Sequence, residues 1–261
     1  MSGSNHQSID QMERLIEGEF VDEVRDVCNT LDVLLGNLRS GTGRSDDGLG
    51  TLRRSFVSLE ARSKGVDQPL ISILAYRATD YLADIKELGP AQINDLQTFV
   101  DRMRAVVDGD AATIEAAPQL VRELPAKRAA DFDIGDVKQL NVESMVVAPD
   151  RMTQRVVSRE LAACGYRVSS EKSALRALEL ISRTRPDFVI VSAVLDELSG
   201  IDIASALTAM PSTRNIPIAL LTSYSWGHPS LHDLPTRVAI IRKGNSFGSD
   251  LAEFLGRFGV T

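Results

Sequence analysis

Two short runs in the last third of the chain, "DFVIVSA" (residues 187–193) and "IPIALLTS" (216–223), are apolar at nearly every position. A strand with one wet face alternates apolar and polar residues, whereas a strand apolar throughout must be covered on both faces. Helical and strand-like patterns alternate around these runs. "ESMVVAP" reads as a strand and "RMTQRVVSRELAACG" as a helix ending at Gly165. "YRVSS" is a second strand, and "EKSALRALELISRTR" is a helix with Ser170 as its candidate cap. "GIDIASALTAM" reads as a helix, then come a loop of weak helical promise, the strand "VAIIRK" and a closing helix "FGSDLAEFLGRF". Five apolar strands in this alternation predict a doubly wound α/β domain with a parallel sheet between helices. Ligand sites in such sheets lie beyond the carboxyl ends of the strands.

The first 110 residues contain helical patterns only. In "FVDEVRDVCNTLDVLLGNL", Val21, Val24, Cys28, Leu31, Leu35 and Leu38 fall on one face and acids on the other. "SGTGRSDDGLG" interrupts the chain with glycines. A second helix carries Leu52, Phe56, Leu59 and Ser63, and a third carries Leu70, Ile73, Leu74, Arg77, Tyr81, Leu82 and Ile85. "LGP" ends the third and starts a fourth, with Ile93, Leu96, Val100, Met103 and Val107. Four apolar stripes with short connections predict an antiparallel four-helix bundle. The organisation expected is a bundle over residues 1–110, a linker or connecting arm over 111–140, and the α/β domain over 141–261.

Charge and cysteine content narrow the function. Residues 1–124 hold 13 Lys+Arg and 21 Asp+Glu, a balance of -8, and the rest hold 16 and 15. The acidic half is a poor match for phosphate backbones, and no basic helix-turn-helix follows the α/β pattern, so no nucleic-acid partner is expected. No apolar run reaches membrane-spanning length and the first residues lack a signal core, so a cytoplasmic protein without a membrane partner is expected. Cys28 and Cys164 sit far apart in helical patterns and read as unpaired thiols. No metal-type Cys/His spacing occurs.

The C-terminal pattern resembles a bacterial response-regulator receiver domain. "RPDFVIVSAVLDELSG" is similar to the family's stretch running from Pro-Asp through an apolar strand to Gly, with Pro186, Asp187 and Gly200 in place. Thr222 stands at the family's switch Thr/Ser and Lys243 at its Lys, 30 residues after Ser192 and 21 after Thr222 respectively. The resemblance implies a flavodoxin-like (βα)5 sheet in the order 2-1-3-4-5. It also implies a site, and there this sequence departs from the family. Ser192 stands where the family has its phosphoacceptor Asp. Ala148 and Pro149 stand where it has an acidic pair, with Asp150 one step later. Gly244 follows the Lys where the family has Pro.

A carboxylate nucleophile is ionised at neutral pH and needs no base, whereas a serine does. Magnesium needs hard oxygen ligands, and two of its carboxylates are gone. The expectation is therefore a pseudo-receiver without metal, cofactor or catalysis, in which Lys243 contacts Asp150. The alternative is a moved phosphoacceptor, Ser192 or Asp196.

The helical half resembles a histidine phosphotransfer domain through "LRRSFVSLEARSKGV…LISILAYRATDYL". On that alignment Val57 takes the place of the phosphorylated His, Glu60 replaces a Lys and Ala61 a Gly. The only histidines are His6, His228 and His232, none within those bundle patterns, so the bundle cannot carry a phosphohistidine there. His228 and His232 sit four apart, a spacing that binds zinc on a helix, but Pro229 and the lack of a third ligand favour a surface loop. Trp226 in that loop is a candidate partner anchor if exposed, or a cover for its own sheet if not. Together the two resemblances imply a non-catalytic adaptor in a two-component phosphorelay. It would bind a histidine kinase, phosphotransferase or response regulator. Homodimerisation through the bundle, or a structural oligomerisation scaffold, is compatible with the same pattern.

Overall fold

A computed structural model describes residues 3–42, 45–109, 113–127 and 139–259, with only helical backbone for residues 3–10 and 45. The chain forms two compact units, Met1–Pro125 and Ala126–Thr261. Residues 128–138 of the expected arm lie outside the described part.

The first unit contains α1 (Gly3–Arg39), α2 (Ser45–Ser63), α3 (Pro69–Leu82) and α4 (Pro90–Val107). Each helix packs on the next and α1 closes against α4, which makes a four-helix bundle. The core holds the expected stripes, with Phe20, Val24, Cys28, Leu31 and Leu35 from α1 against Leu52, Phe56, Leu59, Leu74, Leu96 and Val100. Phe20 takes the place expected of Val21, one residue earlier on the helix. The start of the expected arm also belongs here. A short helix, α5 (Ala117–Glu123), packs on α3, and Leu124 joins the bundle core.

The second unit has β1 (Glu143–Val147), α6 (Arg151–Ala163), β2 (Arg167–Glu171), α7 (Ala174–Thr184) and β3 (Phe188–Ser192). It continues through α8 (Gly200–Ala209), β4 (Ile218–Thr222), β5 (Ala239–Arg242) and α9 (Phe247–Arg257). The strands are parallel, in the order β2-β1-β3-β4-β5 implied by the resemblance. Val146, Ile190, Ala219, Leu221 and Ile241 point to the α6 and α9 side, where Phe188 meets Tyr166 and Phe254 edge-on. The alternate residues, including Val147, Val191 and Leu220, are buried on the side of α7 and α8.

Two details show why the sheet starts where it does. Asp187 accepts the Glu143 amide (2.7 Å) and its own amide donates to the Glu143 carbonyl (2.7 Å), tying β1 to β3 at their amino ends. Beside it, Arg167 and Glu143 form a buried ion pair (2.5 Å) between β2 and β1. Ser173, not Ser170, caps α7 by accepting the Arg176 amide, while Ser170 is hydrogen-bonded to Ser158. The two serines are three positions apart in the sequence, and the strand runs on to Glu171 before the chain can turn. Between β4 and β5 the described chain forms only a 3-10 turn, Pro229–Leu231. Gly227 with φ 79°, Pro229 and Pro235 leave no uninterrupted run for an α-helix.

Candidate functional site

The carboxyl edge of the sheet brings together the loops after β1, β3, β4 and β5, and with them Ala148, Pro149, Asp150, Ser192, Thr222 and Lys243. Ala148 is fully buried. Its amide donates to the Glu171 carbonyl, and its carbonyl accepts from Gln154 Nε2 at 2.7 Å. Its backbone is thus engaged on both sides and it offers no oxygen ligand from a side chain. Asp150 is the N-cap of α6. Its Oδ1 accepts the Thr153 amide and its Oδ2 accepts the Thr153 hydroxyl, each at 2.8 Å. These bonds, the backbone one first, hold its carboxyl below the usual aspartate range.

The expected Lys243–Asp150 contact is not made. Lys243 is exposed and beyond ion-pair distance, and it acts on Asp150 only through space, as a lesser cause of the lowered pKa. Capping explains this: an aspartate at the start of a helix is held by that helix's own amides. The Lys243 amide donates to the Thr222 carbonyl (2.8 Å), which extends the β4–β5 ladder by one residue. Gly244 follows with φ 93°, a conformation that proline cannot adopt.

Ser192 is 2% exposed, and its hydroxyl has no hydrogen bond among the described residues. The wall over it is Gly200. A Cβ there would stand 2.2 Å from the Ser192 carbonyl oxygen and 2.9 Å from Ala193 Cα, so only glycine fits. Thr222 is buried, and its hydroxyl accepts the Tyr224 amide (3.1 Å), which fixes the start of the β4–β5 loop. Asp196 is exposed on the β3–α8 loop.

Sequence reasoning missed Glu197. Its Oε2 accepts the Ser173 hydroxyl (2.8 Å) and the Leu175 amide (3.1 Å), pinning the β3–α8 loop to the start of α7. The Leu175 amide, then the Ser173 hydroxyl, lower its pKa. The partner lies 24 residues away on another element, and no local pattern announces such a pair.

Large apolar side chains are exposed on the loops of this edge and at the start of α7. Trp226 is 67% exposed, and Val194, Leu175 and Tyr224 are exposed too. His228 stacks on Tyr224 (ring centroids 4.0 Å, 11°) and its Nδ1 accepts the Ser230 amide, while His232 pairs with Asp233. The two histidines thus have separate partners in a surface loop. Among the described residues, no group of three or more His, Cys, Asp or Glu is placed to hold a metal ion. With Asp150 engaged by Thr153, Glu197 by the start of α7, and no side-chain oxygen from Ala148 or Pro149, the described residues do not fit the magnesium that this fold family implies.

No family model matches the chain. It is 30% identical over 82 residues to the response regulator MprA of Mycobacterium sp. (strain KMS), covering 31% of this chain and 35% of that protein. It is 26% identical over 81 residues to the polar-differentiation response regulator DivK of Brucella anthropi, covering 31% of this chain and 66% of that protein. The C-terminal unit is a response-regulator receiver domain. The chain spans about a third of the length of MprA, so the receiver domain is what the two have in common. A solved receiver domain from a sensor histidine kinase of Pseudomonas aeruginosa, with magnesium in its active-site cleft, is 21% identical with a TM-score of 0.41, covering 45% of this chain and 98% of that one.

In the bundle, Val57 lies on α2 and is 51% exposed, with Ala61 one turn further along also exposed. Glu60 accepts from Lys64 Nζ (3.2 Å). No described helix is long and apolar enough to cross a membrane.

Proposed function

We propose that the protein is a non-catalytic adaptor or regulator of a bacterial two-component phosphorelay, acting in the cytoplasm. It would dock onto a histidine kinase, phosphotransferase or response regulator through pseudo-receiver and pseudo-phosphotransfer surfaces. The observation that carries this reading is the carboxyl-edge site, where Ala148 and Pro149 supply no carboxylate, Ser192 is buried, and Asp150 is held by Thr153. Phosphoryl transfer needs an ionised or base-activated acceptor and a cation to neutralise the phosphoryl oxygens. Ser192 has no base beside it, and Asp196, though ionisable, is on an exposed loop without further carboxylates placed for a metal.

Docking is supported by the exposed side chains of the loop after β4. Tryptophan and tyrosine are enriched in binding hot spots, and Trp226 and Tyr224 are both exposed on the loop after β4. Val57 offers the bundle an exposed aliphatic side chain where the resembling family has its reactive imidazole.

Two measurements test the reading together. Incubation with acetyl phosphate and magnesium, followed by intact-mass analysis, should leave the mass unchanged. Affinity capture with the full chain should recover a two-component protein, and Trp226→Ala or Val57→Asp should reduce that recovery. One added phosphate per chain would overturn the non-catalytic part. Recovery of the same protein by the doubly substituted chain would overturn the docking part.

A further inference from the structure

Trp226 is the only tryptophan of the chain, and it stands at the apex of a turn. The His228 amide donates to the Ser225 carbonyl (3.2 Å), with Trp226 and Gly227 between them. Gly227 has φ 79°, as the third residue of a type II turn does. Trp226 itself is 67% exposed, so packing does little to hold it.

The hold comes from the two flanks. On one side the buried Thr222 hydroxyl accepts the Tyr224 amide (3.1 Å). On the other, Leu231 is buried at the end of the 3-10 turn Pro229–Leu231. His228 joins these flanks. Its ring stacks on Tyr224 (centroids 4.0 Å apart, planes at 11°), and its Nδ1 accepts the Ser230 amide (3.2 Å), which caps the 3-10 turn. One imidazole thus closes the Trp226 turn and ties it to the anchored turn that follows.

Accepting that amide requires a lone pair on Nδ1, so the ring proton sits on Nε2 and the imidazole is neutral. An imidazolium carries a donor at both nitrogens. No rotation of the ring then accepts the Ser230 amide, and N–H faces N–H. A charged ring can stay on the face of Tyr224. That stack ties His228 only to Tyr224 and leaves the 3-10 turn uncapped. The groups around the ring are few. Tyr224 is stacked on it, and His232 and Asp233 pair with each other instead (3.1 Å). Among the described residues, no acid or base from another element is hydrogen-bonded or ion-paired to it.

We propose that His228 is a proton-operated clasp on the Trp226 turn, closed when the ring is neutral and open when it is charged. Imidazole is the side chain that changes charge between about pH 5 and 8, so the clasp closes towards the upper end of that interval and opens towards the lower. A side chain already held loses less freedom on binding than a mobile one, so contacts made through Trp226 weaken in acid. That consequence rests on the docking role proposed above. The clasp itself does not, because it is measured without a partner.

Time-resolved fluorescence anisotropy of the full chain reads Trp226 alone. The amplitude of its fast local depolarisation should at least double on going from about pH 8 to about pH 5. His228→Phe keeps a ring for Tyr224 and removes the acceptor, so it should show the acid amplitude at both pH values. His232→Asn should respond as the parent does. A parent whose amplitude ignores pH, a His228→Phe variant that still responds or that keeps the alkaline amplitude, or a His232→Asn variant without the response would each overturn the proposal. A domain that loosened as a whole in acid would make His228→Phe respond too, and the proposal would fall. The predicted pattern in all three chains, with no partner recovered through Trp226, would support the clasp and remove the docking reading alone.

Discussion

Replacing Gly200 by alanine tests whether the loop over Ser192 is as tight as the structure makes it. The added Cβ would lie 2.2 Å from the Ser192 carbonyl oxygen, 2.9 Å from Ala193 Cα and 2.9 Å from Leu220 Cδ1. Two of these three neighbours are backbone and cannot swing aside. The Gly200 amide also donates to the Ala193 carbonyl (3.0 Å), so moving the start of α8 disturbs that bond as well. Forcing a methyl group into a well-packed site costs about 1–3 kcal/mol. A backbone overlap of this size belongs at the upper end, about 3 kcal/mol. For a unit of this size, that lowers the receiver-domain midpoint by roughly 10 °C. Gly248→Ala is the control. That glycine is in α9 with nothing within 4 Å of its added Cβ, so alanine there should be neutral or slightly stabilising. Differential scanning calorimetry of both variants decides the matter. A Gly200→Ala midpoint within a degree or two of the parent would show that the loop is not closed down on Ser192.

Other consequences follow from named contacts. Asp150→Ala removes the cap of α6 and should destabilise the receiver domain by about 1 kcal/mol at neutral pH. Because the Thr153 bonds depress the Asp150 pKa in the folded state, its contribution is complete above the unfolded value near 4 and fades as pH falls through the folded one. The stability gap between parent and variant should therefore close in acid, and a gap unchanged from pH 7 to about 3 would refute the capping role. Burial pushes the Cys28 thiol up to about 11, and its sulfur faces the Val100 carbonyl, while Cys164 is exposed. A thiol reagent at mildly alkaline pH should label one cysteine quickly, Cys164, and reach Cys28 only on unfolding. Two equally fast thiols would mean an open bundle.

The parallel sheet was legible because "DFVIVSA" and "IPIALLTS" leave no wet face, and the strand order followed from the family resemblance. The bundle stripes were legible for a similar reason, as steps of three and four in Val24, Cys28, Leu31 and Leu35. What escaped was non-local or lay at element ends. The α5 helix was obscured by the alanines and prolines around it. Glu197 caps a helix that begins 23 residues earlier in the chain, which only the folded loop reveals. Asp150 was visible as a surviving acid, but its hydrogen bonds to Thr153 depend on where α6 starts. The exposure of Trp226 was open in the sequence, since a tryptophan in a loop packs down or stands out according to neighbours that periodicity does not describe.

The proposed function requires that the carboxyl edge of the receiver sheet have too few carboxylates to hold a divalent cation. Calorimetric titration of magnesium into the full chain tests it most directly. No saturable heat is expected at about millimolar magnesium, and the same trace is expected for Asp150→Asn. Saturable binding of one ion per chain, lost in Asp150→Asn, would contradict it.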